Sequence, residues 1–401
     1  MERQGPASKM NIFCPWVTPK IFADITDPMP GVKAFFDHYK DYISAAEMTV
    51  LNFCTGNGDH ILMYRGLDYM SDTFDWARYN RYPCDEGMTH YTHNLKWVQE
   101  AYEKSENLRG VRRQGPSFMT HDQIMDYATL KNIYTCFQEE AASRNLNFKL
   151  LEYLEPGPEF CKSVWKVDLH PEGTLERVID VCSTLDGDLH HYSAFPNGIP
   201  SGVNTGAFVI GQTGDYVDDF GLDGVFLGNQ FALCGLWNPK DAPTVTAERV
   251  DGIKSFFRGL RERVGHKLIY WMDTYWPVEH EIKHWGMSEE NYAQLHAVMV
   301  SNFAVIKSDQ IVPNLLSKYE VSQKFGGRPA LLYSFDFVDP WYIYRTYIDL
   351  PDRYSLQREL FTKWGHYSDG ITFFANDTFG FFVFEEPLRE TYQIILPHAQ
   401  D

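Results

Sequence analysis

The chain has 401 residues, 44% of them hydrophobic and 22% charged, and its 36 Lys+Arg against 54 Asp+Glu give a formal net charge of −18. That length and apolar content exclude a disordered chain and allow one large core. The acidic balance, with no Lys/Arg run to reverse it locally, excludes nucleic acid and anionic membrane as partners and favours neutral or cationic ligands.

No stretch approaches the roughly 18 to 20 consecutive apolar residues of a membrane span. The N-terminal residues Met1 to Met10 are polar and show no signal-peptide h-region. Seven cysteines (Cys14, Cys54, Cys84, Cys136, Cys161, Cys182 and Cys234) are odd in number, scattered and free of C-x-x-C. This pattern predicts reduced thiols in a cytoplasm and argues against a cysteine zinc site. Aromatic residues make up 15% of the chain, which suits a large core and also a cleft whose rings stack on sugars.

In chain order, Asn11 to Trp16 predicts a first strand and Val32 to Ala46 a helix. Met48 to Cys54 is a second strand, followed by a span over 55–120 too long for one helix and two short loops. Asp122 to Arg144 has helical spacing, Asn147 to Leu154 reads as the third strand and Thr174 to Ser183 as a helix. A second long span over 186–221 leads to a fourth strand, Asp223 to Asn229. A helix from Ala247 to Val264 is closed by Gly265, and Lys267 to Thr274 is the fifth strand. Ser288, with Glu289 and Glu290 behind it, marks the start of a helix running to Val300. Asn302 to Lys307 is then the sixth strand, Gln310 to Phe325 a helix and Ala330 to Asp336 the seventh strand. Leu356 to Trp364 is helical, Gly370 to Asn376 is the eighth strand and Glu385 to Ile395 a short last helix.

Eight apolar strands alternating with helices are the arithmetic of a (β/α)8 TIM barrel, here a single domain over 1–401 with loop insertions at 55–120 and 186–221. The alternative, an open doubly wound sheet, lacks its G-x-G-x-x-G after a strand. The fourth and eighth strands both open on Asp-Gly, at Asp223-Gly224 and Asp369-Gly370, as two half-barrels would place them. A turn entering a strand explains the repeat equally well.

A barrel builds its site at the C-terminal strand ends. Those ends carry Trp16, Asn52 to Asp59, Glu152 and Glu155, Asn229 and Gln230, Asp273, Asp309, Asp336 and Asp339, and Asn376 and Asp377. Paired carboxylates of this kind serve as acid and nucleophile or base on a glycosidic bond, or hold a hard cation. Asp273, flanked by Tyr275 and Trp276, joins a reactive group to stacking surfaces. Asp336, followed by Trp341, repeats the pattern. Glu152 competes with Glu155 on the third strand, and strand register decides which one faces inward.

Other chemistries find less support. His280-Glu281-Ile282-Lys283-His284 matches H-E-x-x-H, but it follows Pro277 closely, is cut short by Gly286 and carries Lys283 where zinc proteases keep an uncharged residue. His190-His191 are adjacent and cannot both aim easily at one metal. No Gly-x-Ser-x-Gly and no P-loop occur.

An apolar fourth strand that opens with Gly-Leu-Asp-Gly and closes on Asn229-Gln230, followed by an aromatic-flanked Asp on the fifth, resembles the (β/α)8-barrel glycoside hydrolases. The resemblance implies a glycosidase or transglycosidase acting on a neutral carbohydrate, without cofactor or metal. In the large clan of retaining barrel glycosidases the fourth strand ends in Asn-Glu and the seventh in Glu, whereas these places hold Asn229-Gln230 and Asp336. A glutamine cannot exchange the catalytic proton. Asp273 and Asp336 are therefore the expected catalytic pair. Glu155, Asn229, Gln230, Tyr275, Trp276, Asp309, Trp341, Asn376 and Asp377 are expected to bind substrate. A catalytically silent sugar-binding barrel and a metal-dependent lyase, isomerase or hydrolase are the alternatives.

Overall fold

The computed structural model describes residues 10–55, 61, 95–96, 123–154, 205–228, 245, 247–272, 276–300, 308–337 and 359–375. Eight parallel strands close on themselves in sequence order: β1 (Met10–Val17), β2 (Ala46–Phe53), β3 (Phe148–Leu154), β4 (Gly224–Leu227), β5 (Leu268–Met272), β6 (Ala297–Val300), β7 (Ala330–Phe337) and β8 (Gly370–Ala375). The ring is shut by β8 pairing with β1, Ile12 opposite Gly370 and Phe13 opposite Ile371. This is the (β/α)8 barrel that the sequence pattern predicts.

The helices outside it are α1 (Met29–His38), α2 (Lys40–Ala45), α3 (Tyr127–Ser143), α4 (Thr205–Phe220), α5 (Ala247–Val264), α6 (Val278–Trp285), α7 (Glu289–Ala293) and α8 (Ser308–Lys324), with a further short helix over 359–364. Among the described residues no helix is long and apolar enough to cross a membrane.

Strand alternation sorts the apolar residues into two cores. Phe13, Leu51, Leu150, Val225, Trp271 and Leu331 face out and pack under the helices. Cys14, Trp16, Val50, Tyr153, Phe226, Tyr270 and Met299 face in and fill the barrel. Both faces are apolar, and each strand accordingly reads as an unbroken run.

Local chemistry sets the helix ends. Asp126 caps α3 by accepting the Thr129 N–H at 2.8 Å, and those hydrogen bonds hold its carboxyl below the usual range. Gly265 leaves α5 with φ +63°, as a glycine closing a helix should.

Three segments differ from the sequence pattern. The expected Val32–Ala46 helix is split at Tyr39, whose φ −97° and ψ 13° depart from the helix. The Ser288 helix lasts only through α7, and β6 occupies Ala297–Val300, ahead of the expected Asn302–Lys307. Two apolar runs, Ala297–Val300 and Phe303–Ile306, flank Ser301-Asn302, so periodicity alone could not say which one pairs. Ser288 sits at the cap position but makes no side-chain cap bond. Finally, the 186–221 span ends in α4, whose Gly206, Gly211 and Gly214 disguise a helix. A Cβ at Gly214 would lie 2.3 Å from the Arg263 side chain on α5, which reaches Asp215 at 2.7 Å and Asp218 at 2.8 Å. Glycine there lets the two helices share that ion-pair cluster.

Candidate active site

The upper barrel interior is aromatic. The Trp16 ring lies 5.0 Å from Tyr153 and 5.0 Å from Phe226, and Phe226 is 6.1 Å from Tyr270. These rings come from β1, β3, β4 and β5 and form a continuous apolar floor below the C-terminal strand ends. Burial pushes the hydroxyl of Tyr270 and the thiol of Cys14 far above their ordinary values, so both stay protonated at neutral pH. Cys14 is therefore no nucleophile.

Asn52 interrupts this apolar surface. It has the same strand parity as inward-facing Val50 and Cys54 and is paired in register with Trp16 on β1 and Leu151 on β3. Its exposure is 0%, and both its Oδ1 and its Nδ2 lack a hydrogen-bond partner among the described residues. The sequence marks Asn52 as a strand-end residue, but only the register shows which way it faces.

The register also separates the two glutamates of the third strand. Glu152 shares its parity with outward-facing Leu150 and Leu154. It lies fully buried between strand and helix. One carboxylate oxygen accepts the Thr55 N–H at 2.8 Å and the other the Tyr134 hydroxyl at 2.5 Å, with the Tyr216 hydroxyl 2.9 Å from that of Tyr134. Burial and the adjacent carboxylate drive the Tyr134 hydroxyl well above its ordinary value, so Tyr134 acts as the donor. Glu152 thus ties the end of β2 to α3 and α4 and does not face the lumen. Glu155, three positions on, lies outside the described residues.

Around β5, Trp276 is half-buried and stacked on His280, with ring centroids 4.3 Å apart and planes 13° apart. His284 lies one turn further along α6, 4.3 Å from His280. Burial, His284 and Lys283 lower His280 to about 4, so it is neutral at pH 7.

Glu281 of the same motif points away from the imidazoles. It is fully buried in an ion pair with Lys318 at 3.3 Å, and the Tyr292 hydroxyl also donates to it. Lys318 further donates to the Trp276 carbonyl and to Asn314 Oδ1, both at 2.8 Å. A glutamate committed to this pair cannot be the general base of a zinc site. Among the described residues no three His, Cys, Asp or Glu side chains are grouped to hold a metal ion.

Asp336 is the penultimate residue of β7, with the parity of Leu332 and Ser334. Asp273 directly follows the last residue of β5 and lies outside the described residues, as do Tyr275, Asn229, Gln230, Trp341, Asn376 and Asp377. Asp309 falls in the first turn of α8, not at a strand end, because β6 finishes at Val300.

No family profile and no curated protein sequence matches the chain. Among solved structures, a chitinase from Chromobacterium violaceum aligns over 98% of this chain and 100% of its own, with 8% identity and a TM-score of 0.43. An Ostrinia furnacalis Group IV chitinase aligns over 97% and 99%, with 10% identity and a TM-score of 0.42. An alpha-amylase from Geobacillus thermoleovorans aligns over 99% and 80%, with 11% identity and a TM-score of 0.38. The barrel assignment rests on the closed strand order itself, and a fold of this kind carries many unrelated chemistries.

Proposed function

We propose that the chain is a glycosidase or transglycosidase acting on neutral oligosaccharides or glycosides, with Asp273 and Asp336 as its carboxylate pair. The observation that supports this most is positional. Asp273 follows β5, Asp336 lies near the end of β7, and these strands flank β6 in one closed ring. Neighbouring strands are about 4.8 Å apart, so backbones two strands apart are separated by about 9 to 10 Å. Carboxylates carried at two such positions are separated by a distance of the order of the roughly 5 to 9.5 Å that acid and nucleophile or base require across a glycosidic bond.

In this reading Trp276 and Trp341 supply stacking surface. Glu155, Asn229, Gln230, Tyr275, Asp309, Asn376 and Asp377 bind sugar hydroxyls. The net charge of −18 favours a neutral substrate over an anionic one. The chain acts as one domain, without cofactor, in the cytoplasm. Asp273→Asn and Asp336→Asn are each expected to lower turnover of a cleaved glycoside at least about a hundredfold, the order typical of acid–base catalysis. Full activity in both variants would refute the assignment.

Gln230 supports a second reading, a sugar-binding barrel without catalysis, because an amide stands where an acid is expected. Tight sugar binding without turnover, converted to turnover by Gln230→Glu, is its signature.

A further inference from the structure

We propose that Asn52 is a substrate-contacting residue on the floor of the barrel mouth, its amide giving and taking hydrogen bonds with adjacent hydroxyl groups of a sugar ring held beside Trp16. The inference rests on the glycosidase reading and extends it to a residue at the heart of the barrel. Its physical basis is the 0% exposure of Asn52 together with an unpartnered Oδ1 and Nδ2 among the described residues. A buried polar group left unsatisfied carries a desolvation penalty, so each one in a native structure calls for a partner that explains it.

The position is also one a packed core would fill more cheaply. Val50 and Leu151 around it are apolar, and leucine has the same branching at Cγ as asparagine with no polar atoms to satisfy. Thr372, inward-facing on β8, differs from Asn52 in that it donates to the Cys14 carbonyl at 2.6 Å.

The amide also selects the ligand. A carboxylate or phosphate would satisfy Nδ2 but not Oδ1, and an ammonium group would do the reverse. Hydroxyls donate and accept at once, so a neutral polyol satisfies both atoms. Trp16, paired in register with Asn52, sets an apolar indole beside that amide.

The test compares wild type with Asn52→Leu in thermal unfolding and in calorimetric titration with maltose, cellobiose, lactose and mannobiose. Asn52→Leu is expected to melt no lower than wild type and to bind the preferred disaccharide at least about tenfold more weakly, a loss near 1.4 kcal/mol. Should the leucine variant fail to fold, Asn52→Ala must show the same weakening. Unchanged binding in a folded variant overturns the inference while the glycosidase reading stands, above all if the melting temperature also falls, since that marks a structural amide. If wild type binds none of the four sugars, the glycosidase reading fails and the inference falls with it.

Discussion

Asp223 and Asp369 make the same bonds half a barrel apart. The Asp223 N–H donates to the Leu150 carbonyl at 2.9 Å while its carboxylate accepts the Leu150 N–H at 2.9 Å, and its carbonyl accepts from Leu268 at 2.8 Å. Asp369 repeats this with Leu331 at 2.8 and 2.9 Å, and its carbonyl accepts from Ile12 at 3.3 Å. Each carboxylate therefore satisfies a strand-entry amide on one side while the backbone recruits the strand on the other. The Asp-Gly repeat visible in the sequence is thus a closure device at the bottom of β4 and β8.

The glycines belong to the same device. A Cβ at Gly224 would sit 2.0 Å from the Leu268 carbonyl oxygen, and one at Gly370 would sit 2.2 Å from that of Ile12. Backbone cannot yield as a flexible side chain does, so Gly224→Ala and Gly370→Ala should each destabilise by at least about 2 kcal/mol. Urea unfolding of each variant measures this, and a midpoint equal to wild type in either would show that the strands can spread.

Lys318 and Glu281 should be far more costly to separate than to remove together. Both are fully buried, and Lys318 also carries the Trp276 carbonyl. Lys318→Met alone is expected to cost about 3 to 5 kcal/mol by stranding a buried carboxylate, and Lys318→Met with Glu281→Leu to recover most of that loss. A double-mutant cycle by chemical denaturation gives the coupling. Additive single effects would show that the two charges act independently.

Stability should decline across mildly acidic pH because of two imidazoles. Burial lowers His280 and His296 from 6.5 to about 4, and His296 accepts the Ile269 N–H at 3.0 Å through Nδ1. Between these values the unfolded chain binds protons that the folded chain refuses. Their stabilising effect is therefore complete above about pH 6.5 and shrinks as pH falls toward about 4. Melting temperatures from pH 7.5 to 4.5 should flatten in His296→Gln relative to wild type. Parallel profiles would deny His296 that role.

The Glu152 network should behave as scaffold. Tyr134→Phe removes a hydroxyl donating to a buried carboxylate at 2.5 Å, which should cost about 1.5 to 3 kcal/mol, the range for hydrogen bonds to charged groups. Circular dichroism during heating measures the loss, and catalytic pH dependence should not move. A shifted pH profile would place Glu152 in the chemistry.

The sequence makes the barrel legible because strands buried on both faces leave long apolar runs between helical spacings, and Ala247–Val264 appears with its observed bounds. It misplaces β6 because two short apolar runs, Ala297–Val300 and Phe303–Ile306, lie side by side, and it hides α4 because Gly206, Gly211 and Gly214 lower its helical signal although Gly214 serves close approach to Arg263 on α5. Candidate residues were legible as strand ends, but direction was not. Glu152 and Asn52 point opposite ways relative to the lumen, and a one-residue register change would exchange them. The H-E-x-x-H spacing shows the same limit, since the residue that pairs with Glu281 lies on another helix, at Lys318.

Release of sugar from a panel of aryl α- and β-glycosides and neutral oligosaccharides, with and without EDTA, tests the central claim most directly. The account predicts turnover of at least one member, indifferent to EDTA and lost in Asp273→Asn and Asp336→Asn. Absence of turnover across the panel, or turnover abolished by EDTA, would contradict it.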